Sequence, residues 1–411
     1  MATQSDKICV HAWKGLYVTP LGEAGMCCIQ FPLLTRIDSK TNVKDIRRQE
    51  EWNNVRQSML RGEEHPACER CWKVEKENNI DSYRQSFNVR YPKEYNYIKQ
   101  LDSDKLHSDE LLFIDIRQTN VCNMKCLSCH PIYSSLWGAE KDHLSPKLTY
   151  SNWDPYDKKL PKNGVLCVEN DQFEDYILSN IDDVKEIYFA GGEPMLNPLH
   201  WAILEKLDKL QRYDTKIFYN TNLLKLSYKG KHIFDYWDKF VNWSAGCSID
   251  AVGARAEYVR TGTKWSIVDK HIIQLKKKYP TLFHIDTTVS ALSVGGLKEL
   301  ITYCQKLNIK QRWSNTVVQP NFLCLNILPR DYRQHIYHDI EKMFKGNIEK
   351  IYPKKFDIEG TLRHFKIAML DSDATDDAKY SFKEFIEKKD KIRNTDIFVS
   401  CPEFKDLWPK I

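Results

Sequence analysis

Eight residues, Cys122-Asn-Met-Lys-Cys126-Leu-Ser-Cys129, place three thiols at spacings of four and three. They follow the apolar run Leu-Leu-Phe-Ile-Asp-Ile at 111–116, which reads as a buried strand. Thiolates bind iron and zinc strongly, so a strand ending in a loop of three cysteines is a place to hold metal. Three cysteines also leave one position of a four-iron cluster without a protein ligand. An open position is what separates a catalytic metal site from a closed structural one.

Further along, Tyr188-Phe-Ala-Gly191-Gly192-Glu193-Pro194 closes a second apolar run. Two glycines let a ligand approach the backbone, and Glu193 offers a carboxylate to a cation. Alone this is an ordinary strand-to-helix turn; with the cysteines upstream it is far more specific. Asn220-Thr-Asn222 and Ser248-Ile-Asp250 put small polar side chains at strand ends, where they could hydrogen-bond a ribose or a carboxylate. Capping of the following turn explains each of these singly. Arg260 either pairs a carboxylate or sits on the surface.

A second group of cysteines lies earlier: Cys9, Cys27, Cys28, Cys68 and Cys71 are five of the thirteen in the chain. Residues 15–28 read as a hairpin, with alternating apolar residues broken by Pro20, Gly22 and Gly25. Glu50 to Arg61 reads as a helix with Trp52, Val55, Met59 and Leu60 on one side, ended by Gly62. The loop His65-Pro-Ala-Cys68-Glu-Arg-Cys71 is a two-ligand clip for zinc or iron–sulfur. With Cys9 and the hairpin cysteines it supplies enough thiols for a closed site. Zinc in the same positions, or a redox Cys-x-x-Cys, is the plainer alternative.

The elements that must position these residues change character along the chain. Residues 80–110 are polar and read as a linker, so the expected domains are 1–105, 106–330 and 331–411. From Leu111 strands alternate with helices. The expected strands are Leu111–Arg117, Glu186–Ala190, Lys216–Tyr219, Trp243–Ile249, His284–Ser290 and Phe322–Leu328. Leu199, Ile203, Leu207 and Leu210, then Leu297, Leu300, Ile301 and Leu307, mark helices between them. Repeated β–α units imply a parallel sheet. The fold class is therefore α/β, a partial (β/α)6 barrel whose active site lies at the carboxyl ends of its strands, by analogy with closed barrels. A long insertion, His130 to Asp183, is a lid, a substrate element or a surface excursion. After Pro329 the chain turns helical, over Arg330–Phe344 and Ser381–Lys391. The isolated Cys167, Cys247, Cys304, Cys324 and Cys401 read as small core residues.

Composition narrows the class. The 411 residues are 42% hydrophobic and 28% charged, which suits a soluble globular protein. The net charge of +5 is the small difference of 61 basic and 56 acidic residues, with no basic block, so nucleic acid is disfavoured as a partner. No apolar run approaches the roughly 18 residues that span a bilayer. The first residues lack the apolar core of a signal peptide. Thirteen cysteines then argue for metal or redox chemistry in a cytoplasmic protein with no membrane partner. A phosphate loop with lysine is missing, so nucleotide hydrolysis has no support.

In these motifs the chain resembles the radical SAM superfamily. Cys122-x3-Cys126-x2-Cys129 matches its cluster motif and Gly191-Gly-Glu-Pro194 its methionine-binding motif. The N-terminal cysteines resemble a SPASM/twitch auxiliary-cluster domain placed before the barrel, so the chain is similar to the N-terminal-twitch group over about residues 5–330. The resemblance implies that Cys122, Cys126 and Cys129 hold a [4Fe–4S] cluster whose fourth iron is chelated by S-adenosylmethionine. An electron then cleaves the cofactor to methionine and a 5′-deoxyadenosyl radical, which abstracts hydrogen from a substrate. Gly191, Gly192, Glu193 and Pro194 would receive the methionyl ammonium, with Ser248, Asp250 and Arg260 near the ribose or carboxylate. Gly22-x4-Cys27 matches the SPASM spacing, so Cys9, Cys27, Cys68 and Cys71 would hold an auxiliary iron–sulfur cluster, Cys28 being the rival to Cys27. Three features depart from the family. Ser128 stands where an aromatic residue often packs on the adenine, leaving Tyr133 or Trp137 for that task. The distance from Cys129 to Gly191 is long, and the auxiliary cysteines suffice for one cluster. The implied partners are an electron donor such as flavodoxin or ferredoxin and a peptide or protein substrate. A carbohydrate or nucleotide-linked small molecule is the alternative substrate, and a non-catalytic zinc or iron–sulfur module the competing class.

Overall fold

Proline and glycine turn the N-terminal chain back on itself. Gly15–Val18 (β1) folds onto Glu23–Gly25 (β2), with Tyr17 opposite Gly25 and Val18 opposite Ala24, the expected hairpin. Gly22 in the turn has φ +76°, and a Cβ there would stand 2.3 Å from the Ile37 carbonyl oxygen. Only glycine fits. The computed structural model describes residues 7–77, 81–101, 106, 109–138, 140, 161–344 and 358–411. These fall into two units: Met1–Asn120 with Leu166–Tyr219 and Ser227–Trp243, and Val121–Val165 with Asn220–Leu226 and Ser244–Ile411.

In the first unit β2 also pairs with Thr35–Arg36 (β3). The free edge of β1 runs parallel to Phe113–Ile116 (β4), which continues parallel into Glu186–Phe189 (β5) and Lys216–Thr221 (β6). The cysteine-bearing hairpin is thus an extension of the parallel strands. Register aligns Tyr17, Asp115, Tyr188 and Phe218 across one face. Phe189 and Tyr219 occupy the other, where His200 of helix Pro198–Lys209 meets the Phe189 ring at 4.7 Å. A short ribbon, Ser227–Tyr228 (β7) with Lys231–His232 (β8), completes the unit's strands.

The stretch read as a linker is instead two helices, Tyr83–Arg90 and Pro92–Ile98. Their polarity hid a capping box, Ser82 with Gln85, and a proline at the first helical position. The first helix earns its place by satisfying backbone: the Asn88 amide donates to Ile8 O at 2.7 Å and accepts from Val10 N at 3.0 Å. The helix expected from Glu50 spans Glu50–Leu60, with Trp52, Val55 and Met59 buried.

In the second unit Trp243–Ser248 (β9), Phe283–Val289 (β10) and Gln311–Thr316 (β11) run parallel. The last corrects the expectation for Phe322–Leu328, which holds two 3-10 turns, Asn321–Leu323 and Leu325–Ile327. A continuous apolar run does not distinguish a strand from any other buried segment. This one is apolar because Phe322, Leu323, Leu325 and Ile327 join Phe344, Phe365, Phe382 and Phe385 in one core with the C-terminal helices. Those helices are Arg330–Phe344, Ile358–Leu370 and Asp376–Arg393. β4, β5 and β6 in the first unit and β9, β10 and β11 in the second each lead into helix, six β/α units in all, followed by a helical C-terminal region. Cys247, Cys304 and Cys401 are buried as expected, whereas Cys324 is half-buried and Cys167 exposed. The polar stretch 144–156 of the insertion lies outside the described residues. Among the described residues no helix is long and apolar enough to cross a membrane.

Candidate functional site

The three-cysteine loop belongs to the second unit and is held from both sides. Lys125 N donates to Thr261 O at 2.8 Å and Leu127 N to Val259 O at 2.9 Å. The segment 259–262 lies this close because Gly262, at φ +108°, has no Cβ to strike Asn123 O, 2.7 Å away. On the other side Ser134 Oγ donates to Met124 O at 2.6 Å, and Trp137 Nε1 to Cys126 O at 2.6 Å.

Donors reach two of the sulfurs. Arg260 Nη1 stands 3.9 Å from Cys126 Sγ, and Asn222 Nδ2 stands 3.9 Å from Cys122 Sγ. The guanidinium is aimed by Asp250, which accepts from Nε at 2.7 Å and Nη2 at 3.0 Å while also accepting from Thr288 N at 2.8 Å. Asp250, 1% exposed, is therefore engaged in holding Arg260, which pairs a carboxylate and does not sit on the surface. Ser248 ends β9 half-buried, in register with Asp286. Burial pushes the Cys129 thiol to about 12, helped by neighbouring Cys126, and burial raises Cys126 while Arg260 opposes it. A metal that binds the thiolates displaces these protons. Trp137 is not free to stack on an adenine: it is fully buried, with Lys389 Nζ 3.9 Å from its ring centroid. Tyr133 is half-buried.

The glycine turn belongs to the first unit. Gly191 has φ +103°, and a Cβ there would stand 2.8 Å from Arg117 Cβ. Glu193 is 2% exposed, and its Oε1 accepts from Met195 N at 3.2 Å, capping the short turn Pro194–Leu196. The carboxylate thus has a structural duty in addition to any ligand.

Also in the first unit, Cys9, Cys27, Cys68 and Cys71 line a single cavity with His11, Met59, Tyr83 and Arg84. Cys9 immediately precedes helix Val10–Lys14, Cys27 follows β2, and Cys68 and Cys71 flank the start of helix Glu69–Glu77. Burial, then mutual repulsion, pushes Cys9 and Cys68 to about 12. Cys28 is not in the lining of this cavity: burial and the nearby Asp115 carboxylate raise its thiol to about 11. Sequence reasoning missed His11. It is buried, stacks on Phe87 at 3.6 Å, and neither ring nitrogen has a hydrogen-bond partner among the described residues. Among the described residues no three Cys, His, Asp or Glu side chains converge as a single metal ion would require.

No protein-family model and no curated protein matches the chain. Among solved structures it is similar to native anSMEcpe with bound AdoMet, at TM-score 0.38 and 17% identity over 58% of this chain and 61% of that one. It is similar to Streptococcus suis SuiB bound to the precursor peptide SuiA, at TM-score 0.38 and 14% identity over 72% and 64%. SuiB bound to S-adenosylmethionine gives TM-score 0.37 and 13% identity over 72% and 63%. The chain thus spans less than two thirds of the length of each.

Proposed function

We propose that the protein is a radical SAM enzyme of the N-terminal-twitch kind, acting on a peptide or protein. The observation that carries the reading is the three-thiol loop itself, with Cys126 buried, Cys122 and Cys129 half-buried, and Arg260 and Asn222 aimed at two of its sulfurs. Three thiolates with positive or amide donors beside them suit a cluster that keeps one iron for an exchangeable ligand. When bound, the cluster and S-adenosylmethionine would supply reductive cleavage of the cofactor and the hydrogen-abstracting radical.

The chain's own residues do the rest. Cys122, Cys126 and Cys129 would bind the irons, and Asp250 holds Arg260 toward Cys126. Gly191 lets the turn at 191–194 present its backbone, as the methionine-binding motif requires, and Glu193 caps that turn. Cys9, Cys27, Cys68 and Cys71 would hold one auxiliary cluster. Four thiols lining one cavity suit a group held by four thiolates. An electron donor such as flavodoxin or ferredoxin, and a cytoplasmic setting, complete the proposal.

The test is anaerobic reconstitution with iron and sulfide, then S-adenosylmethionine and a reductant, with 5′-deoxyadenosine measured against Cys126→Ala. Product from the wild type alone supports the reading. No product, with zinc rather than iron bound, overturns it in favour of a non-catalytic metal module.

A further inference from the structure

Two cations of the C-terminal helix Asp376–Arg393 meet one carboxylate of the second unit, Glu140. Lys389 Nζ donates to Glu140 Oε2 at 2.7 Å, and Arg393 donates through Nη2 at 2.6 Å and through Nε at 3.0 and 3.2 Å. The third cation on this carboxylate is Lys125, the residue before Cys126, at 2.5 Å. Three cations on one carboxylate leave a net positive group. Lys389 and Arg393 have side chains 1% and 2% exposed, so that charge is poorly screened.

The group is tied to the cysteine loop in three ways. Lys125 belongs to the loop. Arg393 Nη1 donates to Thr261 Oγ1 at 3.0 Å, and the Thr261 carbonyl accepts Lys125 N. Trp137, which holds the Cys126 carbonyl, carries Lys389 and Arg393 at 3.9 and 5.2 Å from its ring centroid. A strap needing only to fix the loop would be served by one neutralised pair or by apolar packing, which often stabilises as well as a buried ion pair.

We infer that Lys389 and Arg393 are positioning residues that set the reduction potential of the iron–sulfur group held by Cys122, Cys126 and Cys129. The inference rests on the radical SAM reading for the identity of that group. Excess positive charge stabilises the reduced, more negative state, and Glu140 sets how much of it is left over. The surplus therefore makes reduction easier.

The experiment is an anaerobic potentiometric titration of the reconstituted full chain, following the paramagnetic signal that Cys126→Ala removes. Arg393→Gln should lower the reduced-to-oxidised ratio at a fixed potential on the order of tenfold, equivalent to ~59 mV for one electron. Lys389→Met should shift it in the same direction, Glu140→Gln in the opposite one, and Arg393→Lys should stay at the wild-type value. Opposed shifts of this kind support the inference, because loosening of a purely structural strap does not change sign with the charge removed. Unchanged potentials, or shifts of one sign in all variants, overturn it. A wild type with no signal that Cys126→Ala removes would instead sink the radical SAM reading, a failure distinguishable from the first.

Discussion

The two cysteine sites solve one problem with different means. Each has an arginine steered by a carboxylate: Asp250 holds Arg260, and Glu75 holds Arg84 at 2.8 Å. Arg260 reaches a sulfur, while Arg84 Nη1 donates to the Ile8 carbonyl at 2.6 Å and so braces the backbone just before Cys9. The loop site takes its three thiols from eight consecutive residues and surrounds them with charge. The cavity site gathers four thiols from three separate segments and walls them with Tyr83, Met59 and His11. On the proposed reading, three thiols with external donors suit a group that exchanges a ligand and an electron, and four thiols around one cavity suit one that stays.

The sharpest way to break this contrast is to remove one thiol from each site. Cys126→Ala should abolish 5′-deoxyadenosine formation and lower bound iron by about half, as expected if each site holds a cluster of about four irons. Cys68→Ala should cost a similar share of iron, while Cys28→Ala should cost none, because that thiol faces Asp115 outside the cavity. Iron analysis with the product assay reads all three. Iron loss in Cys28→Ala equal to that in Cys68→Ala would mean that the cavity is not the ligand set.

Next in size are the carboxylates behind the arginines. Removing one partner of a buried ion pair costs about 3–5 kcal/mol, because the remaining charge is uncompensated. Asp250→Ala should show that loss in chemical unfolding, together with a change in the paramagnetic signal, since the freed Arg260 no longer faces Cys126. Glu75→Ala should destabilise by less, because the Ile8 carbonyl and the Trp72 ring still hold Arg84. If both variants altered the same signal, the separate roles of the two arginines would be lost.

The glycines that admit each site come third. Gly22→Ala and Gly262→Ala both force a side chain into a left-handed backbone, at about 1–2 kcal/mol, and against a carbonyl oxygen. Gly22→Ala should reduce occupancy of the four-cysteine site alone, and Gly262→Ala that of the loop alone. Gly230, also at positive φ, has nothing within 4 Å, so Gly230→Ala should carry only the backbone cost and leave iron unchanged.

How much of this was legible follows the same division. The loop site is local, so spacing alone exposed Cys122, Cys126 and Cys129 and the apolar strand before them. β5, β6, β9 and β10 carry apolar alternation and were placed within a residue or two. β11 is not legible because its run Gln-Arg-Trp-Ser-Asn-Thr is polar, as suits a strand that among the described residues pairs with β10 alone. The more apolar Phe322–Leu328 drew the assignment because it packs under helices that come later in the chain. His11 and Glu140 were invisible for a different reason. Glu140 meets Arg393 across 253 positions, and His11 matters through rings and thiols brought to it by other segments. No local pattern encodes such meetings.

The smallest effect concerns acidity, and it tests whether charge belongs to the loop site as argued. Burial pushes the Glu140 carboxyl upward, but hydrogen bonds from Arg393, Lys125 and Lys389 outweigh it and hold the group at about 2. A carboxyl depressed in the folded state binds fewer protons than in the unfolded chain between about 2 and the ordinary value of 4.5. Stability therefore rises with pH across that window, is fully present above it, and is lost as pH falls through it. Urea unfolding should show Glu140→Gln less stable than wild type by roughly 2 kcal/mol at pH 6, the two converging as pH approaches 2. Curves that stay parallel across the acid range would show that Glu140 acts by shape alone. The net charge beside Cys126 would then have no counter-ion of its own, and the contrast between a charged loop and an apolar cavity would narrow to the arginines.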